Sequence, residues 1–292
     1  MFLLPLSHFR KERTMETEFA KLAEREQTEA HLHFSFSQLN TYLLCPMKFG
    51  HTYVWGTPPE TKPIALPFGK AIHKGAEAFY RSLMETGEII PVDQIIETFK
   101  AVFDRETKNS DLELTMKESE TIGGLREQGI ELMKLFHEEI QPQKIAAVEF
   151  PFTVSIPDIL NGGRDLPIKL VGYFDLVERD EQGTYLIGEL KTSGQRFSSI
   201  RLEYDLQATT YSYAMSRMRL ATTEKSCLIR YDVLLKTKKP AFEHYFVTRT
   251  EADHKRLIHL INMVLKAIEN RIFYRNSDWP CADCQFKKAC FA

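Results

Sequence analysis

Two carboxylates and a lysine in the middle of the sequence have the types and spacing for metal-assisted chemistry. Asp175 and Glu189 fall in two successive strand-like segments, separated by the turn sequence Asp-Glu-Gln-Gly at residues 180–183. In a hairpin symmetric about Gln182 the two carboxylates are cross-strand neighbours. The alternation of side chains along a strand puts Lys191 on the same face as Glu189. The three side chains are therefore predicted to converge.

This arrangement is suited to binding a divalent cation and hydrolysing a phosphodiester. Mg²⁺ and Mn²⁺ prefer carboxylate and carbonyl oxygens, so Asp175, Glu189 and the backbone carbonyl of Leu190 are candidate ligands. Lys191 can orient a water, help to deprotonate it and stabilise the charge that develops on phosphorus. A structural ion pair is the competing interpretation. An acidic residue in an apolar strand face is costly to bury unless it is paired or ligates a metal. This cost favours the interpretation of these residues as a metal site over a structural ion pair.

The Glu-x-Lys motif by itself is weak support, because the sequence contains it at Glu60, Glu106 and Glu189. Only the third occurrence lies in a strand candidate that pairs with an aspartate. The context of the motif, rather than the motif itself, therefore carries the prediction.

The elements around these residues predict an α/β fold with a central mixed β-sheet flanked by helices. A proline-rich stretch, residues 57–67, is typical of a loop, and the apolar spacing over residues 68–140 is helical. The remaining patterns predict a helix at 37–43, strands at 146–156, 168–178 and 184–191, a helix at 203–220, strands at 227–236 and 242–248, and a helix at 251–270.

Four of the five cysteines form a pattern. Cys281, Cys284 and Cys290 lie close together at the end of the sequence, and Cys45 lies far upstream in a Leu-Cys-Pro sequence. Four thiolates bind either zinc or a 4Fe-4S cluster, and local spacing does not separate the two. Cys227 lies in a strand pattern and is interpreted as a buried apolar residue. Five cysteines in a cytosolic protein argue against a disulfide framework.

These motifs resemble the RecB-like branch of the PD-(D/E)XK nucleases. The resemblance is carried by Gly172-Tyr173-Phe174-Asp175, Gly188-Glu189-Leu190-Lys191, Phe68-Gly69-Lys70-Ala71-Ile72-His73 and Gln207-x3-Tyr211, and it extends over residues 34–290. It implies a restriction-endonuclease-like core within a single domain, residues 31–292. That domain would comprise a helical region at 68–140, a nuclease core at 145–250 and a cysteine cluster at 281–290.

The resemblance also implies roles for individual residues. The implied catalytic set is Asp175, Glu189, Lys191, Gln207 and Tyr211, and the implied Mg²⁺ or Mn²⁺ ligands are His73, Asp175, Glu189 and Leu190. Gln207 and Tyr211, at positions i and i+4 of one helix, could hold the DNA backbone or Lys191. A lone helical histidine is more often structural, and such an i, i+4 pair recurs by chance. Glu149 could be an outer acid of the metal site.

The arrangement of one remote cysteine and a C-terminal triplet resembles the iron-sulfur site of AddB-type helicase-nucleases and of CRISPR-associated RecB-like exonucleases. It implies a 4Fe-4S cluster held by Cys45, Cys281, Cys284 and Cys290, which clamps the N-terminal segment to the C-terminal tail. Zinc is the alternative occupant. The helical insertion between His73 and Glu149 is long for the smallest CRISPR-associated members.

The expected function is a metal-dependent DNA nuclease, acting as an exonuclease on single-stranded or frayed DNA ends in repair, recombination or CRISPR adaptation. DNA is the expected partner, with further proteins of a repair, phage or CRISPR complex. Tyr204, Tyr211 and Tyr213 are available to stack on bases, or equally to fill the core. The alternatives are a catalytically inactive module that binds DNA ends or a protein, and a zinc-stabilised hydrolase of another kind.

Composition agrees with a globular protein and excludes a membrane-spanning one. The hydrophobic fraction is 43% and the charged fraction 27%, and no apolar stretch approaches the roughly 18 residues of a membrane span. The first six residues lack the basic region of a signal peptide, so we expect a cytoplasmic location and no membrane partner. Residues 1–30 are interpreted as a peripheral extension, in which Met15 could be an alternative start.

Net charge gives no global sign of nucleic-acid binding, since the chain carries -2 and its pI is about 6.5. Any basic surface must therefore be local. The candidates are Lys191, Arg196 and Arg201 near the predicted site, then Lys236, Lys238 and Lys239, then Arg271, Arg275, Lys287 and Lys288 in the tail. A solvated charged face explains each cluster equally well.

Overall fold

The computed structural model describes residues 33–220 and 227–292. The predicted peripheral extension at 1–30, with Met15, lies outside the described residues. The elements in chain order are β1 (His33–Ser35), α1 (Phe36–Leu44), α2 (Pro46–Phe49), a π-helical turn (Gly50–Val54), β2 (Thr61–Pro63), α3 (Ala65–Thr86), α4 (Val92–Lys108), β3 (Glu113–Thr115), α5 (Ile122–Glu139), β4 (Lys144–Pro157), β5 (Asp165–Arg179), β6 (Tyr185–Ser193), α6 (Ser199–Tyr204), α7 (Leu206–Arg217), β7 (Leu228–Leu235), β8 (Ala241–Val247), α8 (Glu251–Glu269), a 3-10 turn (Trp279–Cys281) and α9 (Lys287–Phe291).

A mixed six-stranded sheet forms the centre of the fold, in the order β1, β5, β6, β7, β8, with β4 paired to β5. β4 runs antiparallel along one edge of β5 for almost its whole length. The opposite edge of β5 is shared: β1 pairs with residues 169–171 in parallel, and β6 pairs with residues 176–179 in antiparallel fashion. Between these two partners, residues 172–175 pair with no strand of the described residues on that edge. The predicted central mixed sheet is confirmed.

Helices cover both faces of the sheet and enclose two hydrophobic cores. On one face α3, α4 and α5 pack over Val148, Leu176, Leu190 and Leu234, and on the other α1, α7 and α8 pack over Phe152, Phe174, Ile187 and Ile229. The region predicted to be helical, residues 68–140, contains α3, α4 and α5 and the short strand β3. The helices separate at Gly87, whose φ of 74° ends α3 in the left-handed conformation that glycine adopts at least cost, and at the loop before α5.

Close packing between α4 and α5 depends on one glycine. A Cβ added to Gly129 would lie 1.9 Å from the ring of Phe99, whereas one added to Gly123 on the same helix meets nothing within 4 Å. We expect Gly129→Ala to lower the free energy of unfolding by about 1–3 kcal/mol through overpacking. The matched variant Gly123→Ala should leave it unchanged or raise it by up to about 1 kcal/mol. Urea denaturation measures both, and equal effects would contradict this packing.

Three local features differ from the sequence predictions. The helix predicted over 203–220 is divided at Asp205, whose side chain accepts a hydrogen bond from the backbone N–H of Ala208 and caps α7. The loop predicted over 57–67 contains β2 and the start of α3. β1 has only three residues, too few to show an alternating pattern. In the part of the chain that the structure describes, no helix has the length and apolarity to cross a bilayer.

Candidate active site

The β5–β6 hairpin has the register predicted from its turn. Paired positions run from Arg179 with Tyr185 to Leu176 with Gly188, which centres the hairpin on Gln182. The ladder ends there, one step before Asp175 and Glu189. Beyond the last paired residues, the side chain of Asp175 links the two strands: its Oδ2 accepts a hydrogen bond from the backbone N–H of Leu190 at 3.2 Å. The two carboxylates therefore lie where β5 and β6 separate.

The alternation of side chains breaks at the same level in two strands. Phe174 packs in the core beneath α7 and Leu176 in the core beneath α3, although residues two apart normally share a face. In β4, Glu149 lies opposite Asp175 in the register and has a φ of 51°, which is strained for a residue other than glycine. At these irregularities the side chains of Glu149 and Asp175 come close together.

Three side chains at this point could hold a metal ion. The ligand atoms of His73, Glu149 and Asp175 all lie within 4.8 Å of one another, and His73 Nδ1 is 3.3 Å from Asp175 Oδ2. α3 brings His73 to the sheet because the neighbouring Ile72 is fully buried in the core. The backbone of Leu190 hydrogen-bonds His73 as well as Asp175. Two carboxylates and an imidazole beside a peptide group suit Mn²⁺ or Mg²⁺.

Glu189 is held by three donors. Its side chain is almost fully buried, and its oxygens accept hydrogen bonds from Gln207 Nε2 at 2.8 Å, from the Tyr211 hydroxyl at 2.6 Å and from Lys191 Nζ. Gln207 also donates to the Tyr211 hydroxyl at 2.9 Å. The Tyr211 ring packs edge-on against Phe174, with centroids 5.2 Å apart. Gln207 and Tyr211 therefore position Glu189, which was not among the partners predicted for them.

Burial and like charges perturb the acids of the site. Burial, with Glu189 nearby, raises the pKa of Asp175 well above its ordinary value, and burial, with Glu77 nearby, raises the pKa of Glu149. Burial also opposes ionisation of Glu189, but Lys191 and His73 outweigh it and lower the pKa of Glu189. Asp175 and Glu149 therefore hold their protons more tightly than free carboxylic acids do, and a bound cation would oppose this effect.

The two basic groups respond differently to burial. Burial lowers the pKa of His73, which favours the neutral imidazole that can ligate a metal. Burial opposes the charge on Lys191, but the neighbouring Glu189 outweighs it and raises the pKa of the lysine. Lys191 is therefore protonated at neutral pH. It can donate hydrogen bonds and stabilise negative charge.

Three tyrosines were candidates for stacking on bases, and they differ in how far they are exposed to solvent. Tyr211 and Tyr213 are buried, and their hydroxyls donate to Glu189 and to the carbonyl of Ser155. The stacking interpretation is wrong for both, because their rings fill the core. Tyr204 is 67% exposed at the end of α6.

The four patterned cysteines line one pocket, together with cations and aromatic rings. Cys45 follows α1, and the other three lie in the C-terminal segment. Cys290 interacts with Arg275 and is close enough to Cys45 and Cys284 for their charges to affect its pKa, which burial raises. Cys227 is buried immediately before β7, and burial raises the pKa of its thiol to about 12. It takes no part in this pocket, as predicted for a buried apolar residue.

Hydrogen bonds also join the N-terminal and C-terminal segments beside this pocket. The Tyr42 hydroxyl donates to the carbonyl of Ile272 at 2.7 Å, and Met47 N–H donates to the carbonyl of Tyr274 at 3.0 Å. The Glu60 carboxylate accepts from two backbone N–H groups of the tail, at 3.2 and 3.0 Å. These hydrogen bonds link the segment around α1 and α2 to the C-terminal tail.

Glu149 provides a test of the metal site that does not depend on catalysis. We expect Glu149→Gln to weaken Mn²⁺ binding by at least about 10-fold, since an anionic ligand is lost. In metal-free protein the same change should raise the free energy of unfolding by about 0.5–2 kcal/mol, because it removes an ionisable group that is costly to bury beside Glu77 and Asp175. Calorimetry and urea denaturation measure the two effects. Glu181→Gln, in the exposed turn, is the matched control and should change neither.

Comparison with known proteins gives one family match. The family model of the PD-(D/E)XK nuclease superfamily matches residues 33–291. No curated protein matches the sequence significantly. Among solved structures, one from Eubacterium rectale described as a "Putative exonuclease" is 12% identical with a TM-score of 0.49, covering 99% of this chain and 94% of that chain. The crystal structure of SSO0001 is 15% identical with a TM-score of 0.36, covering 87% of this chain and 97% of that chain.

The assignment rests on the family model, which spans nearly all of the described residues. The mixed sheet flanked by helices agrees with it, as does the meeting of Asp175, Glu189 and Lys191 where β5 and β6 separate. This chain belongs to the PD-(D/E)XK nuclease superfamily.

Proposed function

We propose that this protein is a Mg²⁺- or Mn²⁺-dependent deoxyribonuclease that hydrolyses phosphodiester bonds at single-stranded or frayed DNA ends. The observation that carries the proposal is that a set of candidate metal ligands and a carboxylate–lysine pair lie next to each other in the sheet. His73, Glu149 and Asp175 offer a set of metal ligands, and the Glu189–Lys191 pair lies beside them. A protein that only binds DNA has no need for buried acids of this kind.

The residues would divide the work as follows. His73, Glu149 and Asp175 would hold the ion, with Glu189 and the Leu190 backbone beside it, and the bound ion would supply Lewis-acid activation of water and of the scissile phosphate. Lys191 would donate to the phosphate and stabilise its developing negative charge. Gln207 and Tyr211 would fix the Glu189 carboxylate, so that it meets the substrate in one orientation.

A groove next to the site supports a single-stranded substrate. It runs from Gln207 and Tyr211, past Tyr173, to the start of α1 near Ser35. Tyr173 is 60% exposed on β5, two residues before Asp175. An exposed ring beside the scissile position can stack on an unpaired base regardless of its identity. Such a groove suits an end that has been separated from its complement.

The cysteine pocket supports a 4Fe-4S cluster rather than zinc. Two distant segments of the chain supply the cysteines of this one pocket, Cys45 from the first and Cys281, Cys284 and Cys290 from the second. Zinc modules usually supply both ligand pairs locally, whereas one remote cysteine with a C-terminal triplet suits a 4Fe-4S cluster. We place the enzyme in the cytoplasm, where thiolates stay reduced.

The proposed unit is the single domain 31–292, with the cluster clamping its two ends. The expected setting is DNA end processing in repair, recombination or CRISPR adaptation, with further proteins of such a complex as partners.

End-labelled DNA tests the function directly. We expect anaerobically purified, full-length protein to degrade linear single-stranded DNA with Mn²⁺ or Mg²⁺, and to cut blunt duplex DNA more slowly. Chelation of the divalent ion should stop the reaction. Circular single-stranded DNA distinguishes an exonuclease, which leaves it intact, from an endonuclease. Failure of cluster-loaded protein to cut any of these substrates would favour a catalytically inactive binding module instead.

A further inference from the structure

A histidine in the cysteine pocket has a buried ring nitrogen without a partner. His51 lies in the π-helical turn Gly50–Val54 and lines the pocket together with all four patterned cysteines. Only 8% of its surface is exposed, and among the described residues no group hydrogen-bonds its Nε2. A buried polar atom without a partner is costly and rare in folded proteins. Its partner is therefore to be sought in what the pocket holds.

The His51 ring is fixed in one orientation on three sides. Its Nδ1 lies 2.9 Å from the hydroxyl oxygen of Thr57. One face stacks on Phe286, with ring centroids 5.4 Å apart and planes inclined by 15°, and Trp55 packs edge-on at 4.9 Å. Phe286 lies in the tail between two of the cysteines, so the segment that supplies the sulfurs also holds the ring. Nε2 consequently points in a defined direction.

The π-helical turn is shaped for this placement. A Cβ on Gly50 would lie 2.6 Å from the Trp55 ring, so only glycine lets that ring pack against the turn and against His51. Turns of this kind are rare and frequently occur at functional sites. The turn immediately follows α2, which begins after Cys45. Cys45 and His51 therefore lie in one short helical segment.

We propose that His51 donates a hydrogen bond from Nε2 to a sulfur of the iron-sulfur cluster and thereby stabilises the reduced cluster. The inference rests on the cluster proposed above. With the Thr57 hydroxyl donating to Nδ1, the ring proton lies on Nε2, which becomes a donor. Four cysteines already supply four ligands, so the histidine is a positioning residue outside the coordination sphere. Hydrogen bonds to the sulfurs raise the reduction potential, because reduction adds negative charge to them.

The surrounding charges act in the same direction without replacing this hydrogen bond. Lys48, Arg275 and Lys287 line the same pocket and favour a negatively charged cluster. Their contribution is the same whichever residue stands at position 51. Variants of His51 therefore isolate the effect of the N–H donor on the cluster.

Redox titration and pulsed electron paramagnetic resonance of full-length protein, purified anaerobically, test the proposal. We expect His51→Phe to bind as much iron as the wild type. At a fixed solution potential its ratio of reduced to oxidised cluster should fall about tenfold, equivalent to about 59 mV for a one-electron couple. The wild-type reduced cluster should show a proton coupling that disappears in D₂O, and His51→Phe should lack it. His51→Gln, which keeps an amide donor, should recover part of the potential.

Other outcomes would overturn the proposal. An unchanged potential in His51→Phe would do so, as would a wild-type cluster without an exchangeable proton coupling. Strong nitrogen coupling from a directly bound imidazole would make His51 a ligand instead. If His51→Phe holds no iron, the wild-type spectra decide alone. A wild-type protein with zinc and no iron overturns the cluster and this inference together, while nuclease assays of the same preparation judge the proposed activity separately.

Discussion

Glu189→Gln is expected to reduce metal-dependent DNA cleavage by at least about 10³-fold, because a positioned carboxylate at a metal site contributes several kcal/mol to the transition state. The substitution preserves volume and can still contact the groups that now hold Glu189, namely Lys191, Gln207 and Tyr211. The fold should therefore survive. Single-turnover cleavage of end-labelled single-stranded DNA with Mn²⁺ measures the loss, and circular dichroism checks the fold.

The sequence itself provides the matched control for this prediction. Glu106 stands in an identical Glu-x-Lys motif, but it lies on α4, where its carboxylate accepts hydrogen bonds from Lys62 and Lys70. Glu106→Gln removes the same charge from the same motif and should leave cleavage within about twofold, since its partners Lys62 and Lys70 are not residues of the candidate site. Asp175→Asn should behave like Glu189→Gln. Retained cleavage in both site variants would contradict the proposed catalytic set.

Cys284→Ser is expected to remove the proposed iron-sulfur cluster and loosen the C-terminal tail. Iron should fall from about four atoms per chain to fewer than one, with loss of visible absorbance, because the cluster then lacks one of its four thiolates. Proteolysis within residues 271–292 should become at least about tenfold faster, since the metal no longer ties this segment to Cys45. Iron analysis and limited proteolysis with mass spectrometry measure these effects.

Cys227→Ser is the matched control, because Cys227 is the cysteine outside the pocket. It should retain iron and a protected tail. The hydrogen bonds of Tyr42 and Glu60 to the tail remain in Cys284→Ser, so the sheet and its helices should stay folded. A Cys284→Ser protein that keeps its full iron content would show that this cysteine is no ligand. Stoichiometric zinc in the wild type would replace the cluster assignment.

Local patterns sufficed to predict the β5–β6 hairpin. The turn at 180–183 sets the register, and strand alternation places Lys191 beside Glu189, as the structure confirms. His73 was predicted from a resemblance, and the structure brings it to Asp175. Secondary-structure bounds were mostly right, because long helices and strands have clear apolar periods. The predicted roles of these residues in catalysis stay predictions until they are measured.

The remaining features depend on contacts that no local pattern encodes. Glu149 has a left-handed backbone and belongs to the candidate ligand set, but a glutamate in a strand pattern gives no sign of a positive φ. The role of Gln207 and Tyr211 in holding Glu189 depends on how α7 packs against the sheet. His51 escaped notice because its partners, Thr57 and Phe286, are unremarkable in sequence and meet only in the folded chain.

The early end of the β5–β6 ladder bears on ion selectivity. Asp175 and Glu189 belong to neighbouring strands but lie beyond their last paired residues, and Asp175 is linked to β6 through the Leu190 N–H. A side-chain hydrogen bond can adjust by rotation, whereas a backbone ladder would fix the spacing of the two carboxylates. At the proposed metal site, ions of different radius, such as Mg²⁺ at about 2.1 Å and Ca²⁺ at about 2.4 Å from their oxygens, would thus enter without disrupting the sheet. Discrimination between ions would then arise from ligand chemistry rather than from a rigid cavity.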